Sequence, residues 1–162
     1  MVELFRSLVP AAAIGALVRH VVPGVEDRLA LRSAARVVLS QLADADQRLG
    51  PILEAIIDGR YFWVPFTRLA AIEIEAPADL RDTVWTAASF VFSNGAQSVG
   101  LIPTRYAGTV EEGDDALMLA RRTEWRGARG LGQRMFVTDA GEHPLLDTRS
   151  IVFLGGEEAG NG

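Results

Sequence analysis

Apolar residues recur along this chain with two different periods. Up to about residue 57 the spacing is helical. Arg28, Arg32 and Arg36 fall every four residues between Leu29, Leu31, Val37, Val38 and Leu42, which places the arginines on one face of an amphipathic helix. Pro23-Gly24 splits residues 1–43 into two such helices. Over Asp44–Ile57, the positions Leu49, Ile52, Leu53, Ile56 and Ile57 again fit one helical face, with Pro51 in its first turn and Gly59 as a stop. Beyond Gly59 the period shortens to two. Tyr61–Phe66 and Ile72-Glu73-Ile74-Glu75 read as strands, the latter ended by Pro77. Ala88–Phe92 and Ser98–Ile102 flank Asn94-Gly95, a dipeptide that accepts positive φ, and predict a hairpin. A second hairpin is expected between Met135-Phe136-Val137 and Ile151-Val152-Phe153, and a helix over Asp114–Arg122, acidic at its start and basic at its end.

Helices followed by hairpins predict an α+β fold: amino-terminal helices, then a mostly antiparallel β domain with one or two short helices. The expected divisions are a helical segment over residues 1–42, an α+β domain over 43–154, and a disordered tail over 155–162, where glycine and glutamate dominate.

Composition narrows the chemistry. The chain has 162 residues, no cysteine, and 16 basic residues that are all arginine. Disulfides, thiolate metal sites, cysteine nucleophiles and lysine Schiff bases are thereby excluded, and the lack of cysteine fits a reducing cytoplasm. A net charge of −5 argues against nucleic acid as a partner. Leu4–Pro23 is apolar but interrupted by Arg6, Pro10, Gly15, Arg19 and His20, too short a run to span a membrane. No membrane association and a cytoplasmic location are expected.

Few constellations offer catalysis. The two histidines, His20 and His143, lie in no recognised motif, and no HExxH pair or GxSxG elbow is present. The cluster Glu111, Glu112, Asp114 and Asp115 lacks the ligand spacing of a calcium loop, and Gly127–Gly132 lacks the spacing of a phosphate loop. No metal or cofactor is expected. A small hydrolase would have to use His143 with Asp139 or Asp147, and would require those side chains to meet. The aromatic run Tyr61, Phe62, Trp63 and Phe66, with Trp85 and Trp125 near arginines, suits a core or a protein contact better.

Five ordered blocks carry a resemblance: Ala43-Asp44-Ala45-Asp46-Gln47-Arg48-Leu49-Gly50-Pro51; Gly59–Phe66; Asp79-Leu80-Arg81-Asp82 with Val84-Trp85; Leu101–Tyr106; and Gly130–Met135. Together they resemble the carboxy-terminal domain of the ImpE/TagJ family, also called SciE-type virulence proteins. The resemblance implies a non-enzymatic, cytoplasmic accessory protein of bacterial type VI secretion, linked to sheath subunits and to the ClpV unfoldase. It also implies a preceding helical, tetratricopeptide-like domain, for which residues 1–42 are too few, so a truncated paralogue is the alternative expectation. No catalytic residues carry over. The partner-contact residues expected within the matching blocks are Tyr61, Trp63, Arg81, Trp85, Arg105 and Arg134.

Overall fold

The computed structural model describes residues 36–39 and 42–153. These residues form three sheets. The largest has seven strands in the order β1 (Arg36–Leu39), β12 (Ser150–Phe153), β5 (Leu69–Ile74), β6 (Trp85–Phe92), β7 (Gln97–Pro103), β3 (Ile52–Ile57) and β4 (Arg60–Pro65). A three-stranded sheet runs β11 (Gly141–Pro144), β10 (Met135–Thr138), β2 (Leu42–Asp44), and β8 (Thr123–Arg126) pairs with β9 (Arg129–Gly132). Every strand pair is antiparallel except β1 with β12.

The α+β expectation is corrected by this architecture. Among the described residues one α-helix is present, α1 (Asp115–Met118), and the fold is mostly antiparallel β. The helices expected over residues 1–35 and the tail over 155–162 lie outside the described residues. Arg36–Leu39, inside the second expected helix, is a strand.

Asp44–Ile57, expected as a helix, instead closes β2, turns, and becomes β3. Its apolar positions satisfy both periods: Ile52, Leu53 and Ile56 fit a helix, while Leu53, Ala55 and Ile57 alternate into the core. The β-branched isoleucines and a turn closed by hydrogen bonds from Leu49 and Gly50 N–H to Asp46 O tip the balance, and pairing along all of β4 completes it. The expected second hairpin also differs. Met135–Thr138 pairs with Gly141–Pro144, a glycine- and proline-containing segment without a strand signal of its own, while Ile151–Phe153 leaves to join β5 in the large sheet.

Other elements form where the periodicity placed them. The β6–β7 hairpin turns at Asn94-Gly95, with the Asn94 side chain accepting from Ala96 N–H and Gly95 at φ +84°. The helix expected over Asp114–Arg122 is shorter. Asp114 caps Leu117 N–H, and Ala120 at φ +52° ends the coil.

The core lies between the two larger sheets. Leu53, Ala55, Val64, Ile72, Phe90 and Ile102 on the inner face of the large sheet pack with Leu42, Phe136 and Leu145 beneath the small one. Phe66 meets Phe136 edge-on at 6.1 Å between ring centroids. The β2–β10–β11 layer therefore covers one face of the large sheet and leaves the opposite face outward over β4, β3 and β7, whereas at β5 and β12 Ala71 and Val152 on that face are buried with Val91 packed against them.

An aromatic face above a buried ionic network

Cross-strand pairing assembles the outward face in rows. Tyr61 stands opposite Ile56, Ile56 opposite Leu101, and Leu101 opposite Ala87. In the neighbouring row Trp63 pairs with Glu54, and Pro103 pairs with Trp85. Between Glu54 and Pro103 the ladder stops, because β3 and β7 pair only at Ile56 and Ile57. The side chain of Arg134 fills that gap. Its Nε donates to Pro103 O at 2.9 Å and its Nη2 donates to the Glu54 carboxylate. The guanidinium thus pairs the Pro103 carbonyl, which the interrupted ladder leaves without a strand partner.

Arg134 enters from β9–β10 and also bonds the Asp44 carboxylate at the end of β2. Its side chain is 0% exposed. It stacks over Tyr106, 5.2 Å from the ring centroid. The Tyr106 hydroxyl donates to Asp44 at 2.8 Å and accepts from Met135 N–H at 3.0 Å. Asp44 further accepts from Asp46 N–H, and Asp46 accepts from Gly130 N–H at 3.0 Å and from Arg48 through both side chain and backbone. Gly130 is required here, since a Cβ would lie 2.5 Å from the Tyr106 ring. At the outer end, Tyr61 donates to Glu54 and Trp63 Nε1 donates to Tyr61 Oη at 2.9 Å. A continuous chain of bonds therefore joins the exposed Trp63 indole to the buried Asp46 carboxylate.

The protonation equilibria follow the environment. Burial pushes Asp44 above the usual carboxylate range despite the opposing charge of Arg134. For Asp46, burial is outweighed by the hydrogen bonds from Arg48 and Gly130, which hold its pKa down to about 2. Burial depresses the Arg134 pKa but the carboxylates of Asp44 and Glu54 prevail, so it stays a cation. Burial, helped by the charge of Asp44, raises the Tyr106 phenol, and burial, helped by Glu54, raises Tyr61.

The six expected contact residues divide into three groups. Tyr61 and Trp63 are 53% and 61% exposed and lie side by side, and Trp85 is partly exposed across the sheet from them. Arg81 is on the surface in a capped turn, its guanidinium held by Asp79 at 2.6 Å. Arg105 and Arg134 point inward: Arg105 donates to Met118 O at the end of α1, and Arg134 is the centre of the network. The block around Asp79–Trp85 is tied to the rest because Thr104 Oγ1 donates to Asp82 O and meets Thr86 Oγ1 at 2.7 Å. Sequence reasoning missed Asp44, Asp46, Glu54 and Tyr106. A signal was present, since Asp44 and Asp46 alternate with Ala43 and Ala45 and so share the strand face of buried Leu42, which turns both carboxylates inward.

His143 makes its ring contact with Thr138 Oγ1 at 3.0 Å, and that hydroxyl also accepts from Ala140 N–H in the β10–β11 turn. Among the described residues neither Asp139 nor Asp147 is hydrogen-bonded to His143, so the hydrolase constellation is not assembled. Asp114 and Glu112 pair with Arg122 and Arg126 at 2.9 and 3.0 Å. Gly127-Ala128 forms the turn between β8 and β9. Among the described residues no group of three or more histidine or acidic side chains is arranged to hold a metal ion, and no helix is long and apolar enough to cross a membrane.

An antiparallel sheet protein with an aromatic outer face and a buried Asp–Arg–Glu network is the class that fold and site define. Residues 37–152 match the model of the ImpE protein family, and the chain belongs to that family. Over 114 residues it is 56% identical to the type VI secretion system accessory component TagJ of Pseudomonas aeruginosa, an alignment covering 69% of this chain and 40% of TagJ. A crystal structure of a Vibrio parahaemolyticus protein matches with a TM-score of 0.62 at 27% identity, over 69% of this chain and 44% of that one. The chain thus spans less than half the length of these relatives.

Proposed function

We propose that the chain is a cytoplasmic, non-enzymatic accessory component of a type VI secretion system, and that it works by protein contact through the face bearing Tyr61, Trp63 and Trp85. Membership of the ImpE family and the name of the TagJ relative support the secretion role. The observation that carries the contact role is the posture of Trp63: a large indole held out to solvent by a hydrogen bond to Tyr61, which is itself anchored through Glu54 to Arg134. Exposed aromatics that are already ordered lose little side-chain entropy on binding, which is the property of an interface anchor. The partners assigned by this reading are the sheath subunits, the ClpV unfoldase, or both. Arg81 contributes at the margin, because its guanidinium already has a carboxylate partner.

The test is capture of purified sheath subunits and of ClpV by the folded chain. Trp63→Ala is expected to weaken capture at least tenfold, a loss of about 1.4 kcal/mol or more. Arg81→Ala is expected to change it by less than about threefold. Failure of the well-folded wild-type chain to retain either protein would remove the proposal.

A further inference from the structure

The strand that carries Tyr61 and Trp63 is also the end of its sheet, and its backbone has a definite pattern on the open side. Asp58 and Gly59 form a two-residue turn with φ of 52° and 73°, so Ile57 and Arg60 close the hairpin as a hydrogen-bonded pair. Alternation along an antiparallel ladder then makes Ala55–Phe62 and Leu53–Val64 the other bonded pairs, and the Phe66 N–H to Pro51 O bond of 3.0 Å extends the same phase. The N–H and C=O groups of Tyr61 and Trp63 consequently point away from β3. Among the described residues no strand pairs with them.

The usual protections of an open edge are confined to the two ends of β4, where Arg60 places a charge on the inner-face side and Pro65 lacks an N–H; no charge, proline or bulge interrupts Tyr61–Val64 between them. Phe62 compounds this: it points to the inner face of the sheet, yet remains 41% exposed.

We propose that β4 pairs antiparallel with β4 of a second copy of this chain, about a twofold axis through Phe62. In that register Tyr61 stands opposite the partner's Trp63 and Trp63 opposite the partner's Tyr61, so every outward N–H and C=O of both residues is satisfied. Shifting the axis to Trp63 would set Tyr61 against a proline without an N–H, and shifting it to Tyr61 would set Trp63 against the Gly59 turn. The side chains agree with the backbone. Tyr61 and Trp63 form cross-strand aromatic pairs on the outward face, and the two Phe62 rings cover each other on the inward face. The strand's one charge, Arg60, falls opposite Val64 and away from its symmetry mate. Twofold closure uses up both β4 edges, so the contact cannot propagate into a filament. The two aromatic faces become continuous across the axis.

The inference is independent of the secretion reading, because it concerns the isolated chain. Sedimentation at high micromolar concentration is expected to give twice the monomer mass for the wild type. Phe62→Glu and Phe62→Arg each set like charges across the axis and are expected to weaken self-association at least tenfold, while an equimolar mixture of the two restores a dimer. Melting followed by circular dichroism identifies a variant that has merely unfolded. Amide hydrogen exchange of the wild type supplies a readout free of substitutions: Tyr61 and Trp63 are expected to exchange slowly when concentrated and quickly when dilute, with Phe62 and Val64 protected throughout. A monomeric wild type, a dimer indifferent to both variants, a broken dimer that mixing does not rescue, or protection of Tyr61 and Trp63 only when a sheath subunit is added would each overturn the proposal.

Discussion

At Arg134 a guanidinium has left water completely, and the cost of that desolvation is met by Asp44, Glu54, Pro103 O and the Tyr106 ring. Removing the cation leaves two carboxylates facing each other across a buried gap. Arg134→Met is therefore expected to lower unfolding free energy by about 3–5 kcal/mol, measured by urea denaturation at neutral pH. Asp46 makes a separate prediction with a defined sign. Its folded pKa of about 2 lies below its ordinary 3.8, so its contribution is complete above pH 5 and disappears as pH falls toward 2. Asp44 has the opposite sign, since a raised carboxyl favours the protonated folded state. Comparing wild type with Asp46→Asn isolates the first effect: the variant should lose about 2 kcal/mol less between pH 5 and pH 2. At this scale the sequence was legible in part. Tyr61, Trp63 and Trp85 could be singled out because aromatic clusters are visible in one dimension. Arg134 was singled out too, but its burial depends on residues 90 and 80 positions away, Asp44 and Glu54, and no local pattern encodes such a meeting.

The elements differ in how much of their identity is local. The Asn94-Gly95 hairpin is encoded within its own residues, because turn chemistry and alternation agree. β3 is not: its isoleucines satisfy two periods, and only the presence of β4 and the Asp46 turn decides between them. β11 is a still stronger case, since Gly141-Glu142-His143-Pro144 becomes a strand only because β10 lies beside it. The β8–β9 hairpin reaches into the network through Gly130, as the β3–β4 hairpin does through Glu54 and Tyr61. Gly130→Ala forces the Tyr106 ring to move and weakens the Asp46 contact. It should cost about 1–3 kcal/mol, whereas Gly95→Ala, with open space around it but a left-handed φ, should cost about 1 kcal/mol. Thermal melting of the two variants tests the ranking, and equal losses would contradict the packing argument.

For the molecule as a whole, the five blocks that carry the family resemblance are scattered over more than half the chain yet meet at one place. They supply Asp44 and Asp46, the Tyr61–Trp63 strand, the capped turn under Trp85, Tyr106, and Gly130 with Arg134. Family membership could be read from them without knowing the fold. The α+β class was misjudged for a related reason, since blocks identify kinship while class depends on which strands find partners. An apolar face of this kind makes a thermodynamic prediction. Binding of a sheath subunit, followed by calorimetry, should have a negative heat-capacity change and an affinity that varies less than about threefold between 0.1 and 0.5 M salt. A steep salt dependence would instead assign recognition to the surface arginines.

The parallel pairing of β1 with β12 has a practical corollary. Because the first and last described strands run the same way along one margin, a fusion placed before Arg36 and one placed after Phe153 depart from opposite ends of that margin. Six interstrand spacings, about 30 Å, separate it from β4. Anchoring the described domain on a sensor at Arg36 or at Phe153 therefore places the attachment at the margin opposite the Trp63-bearing strand.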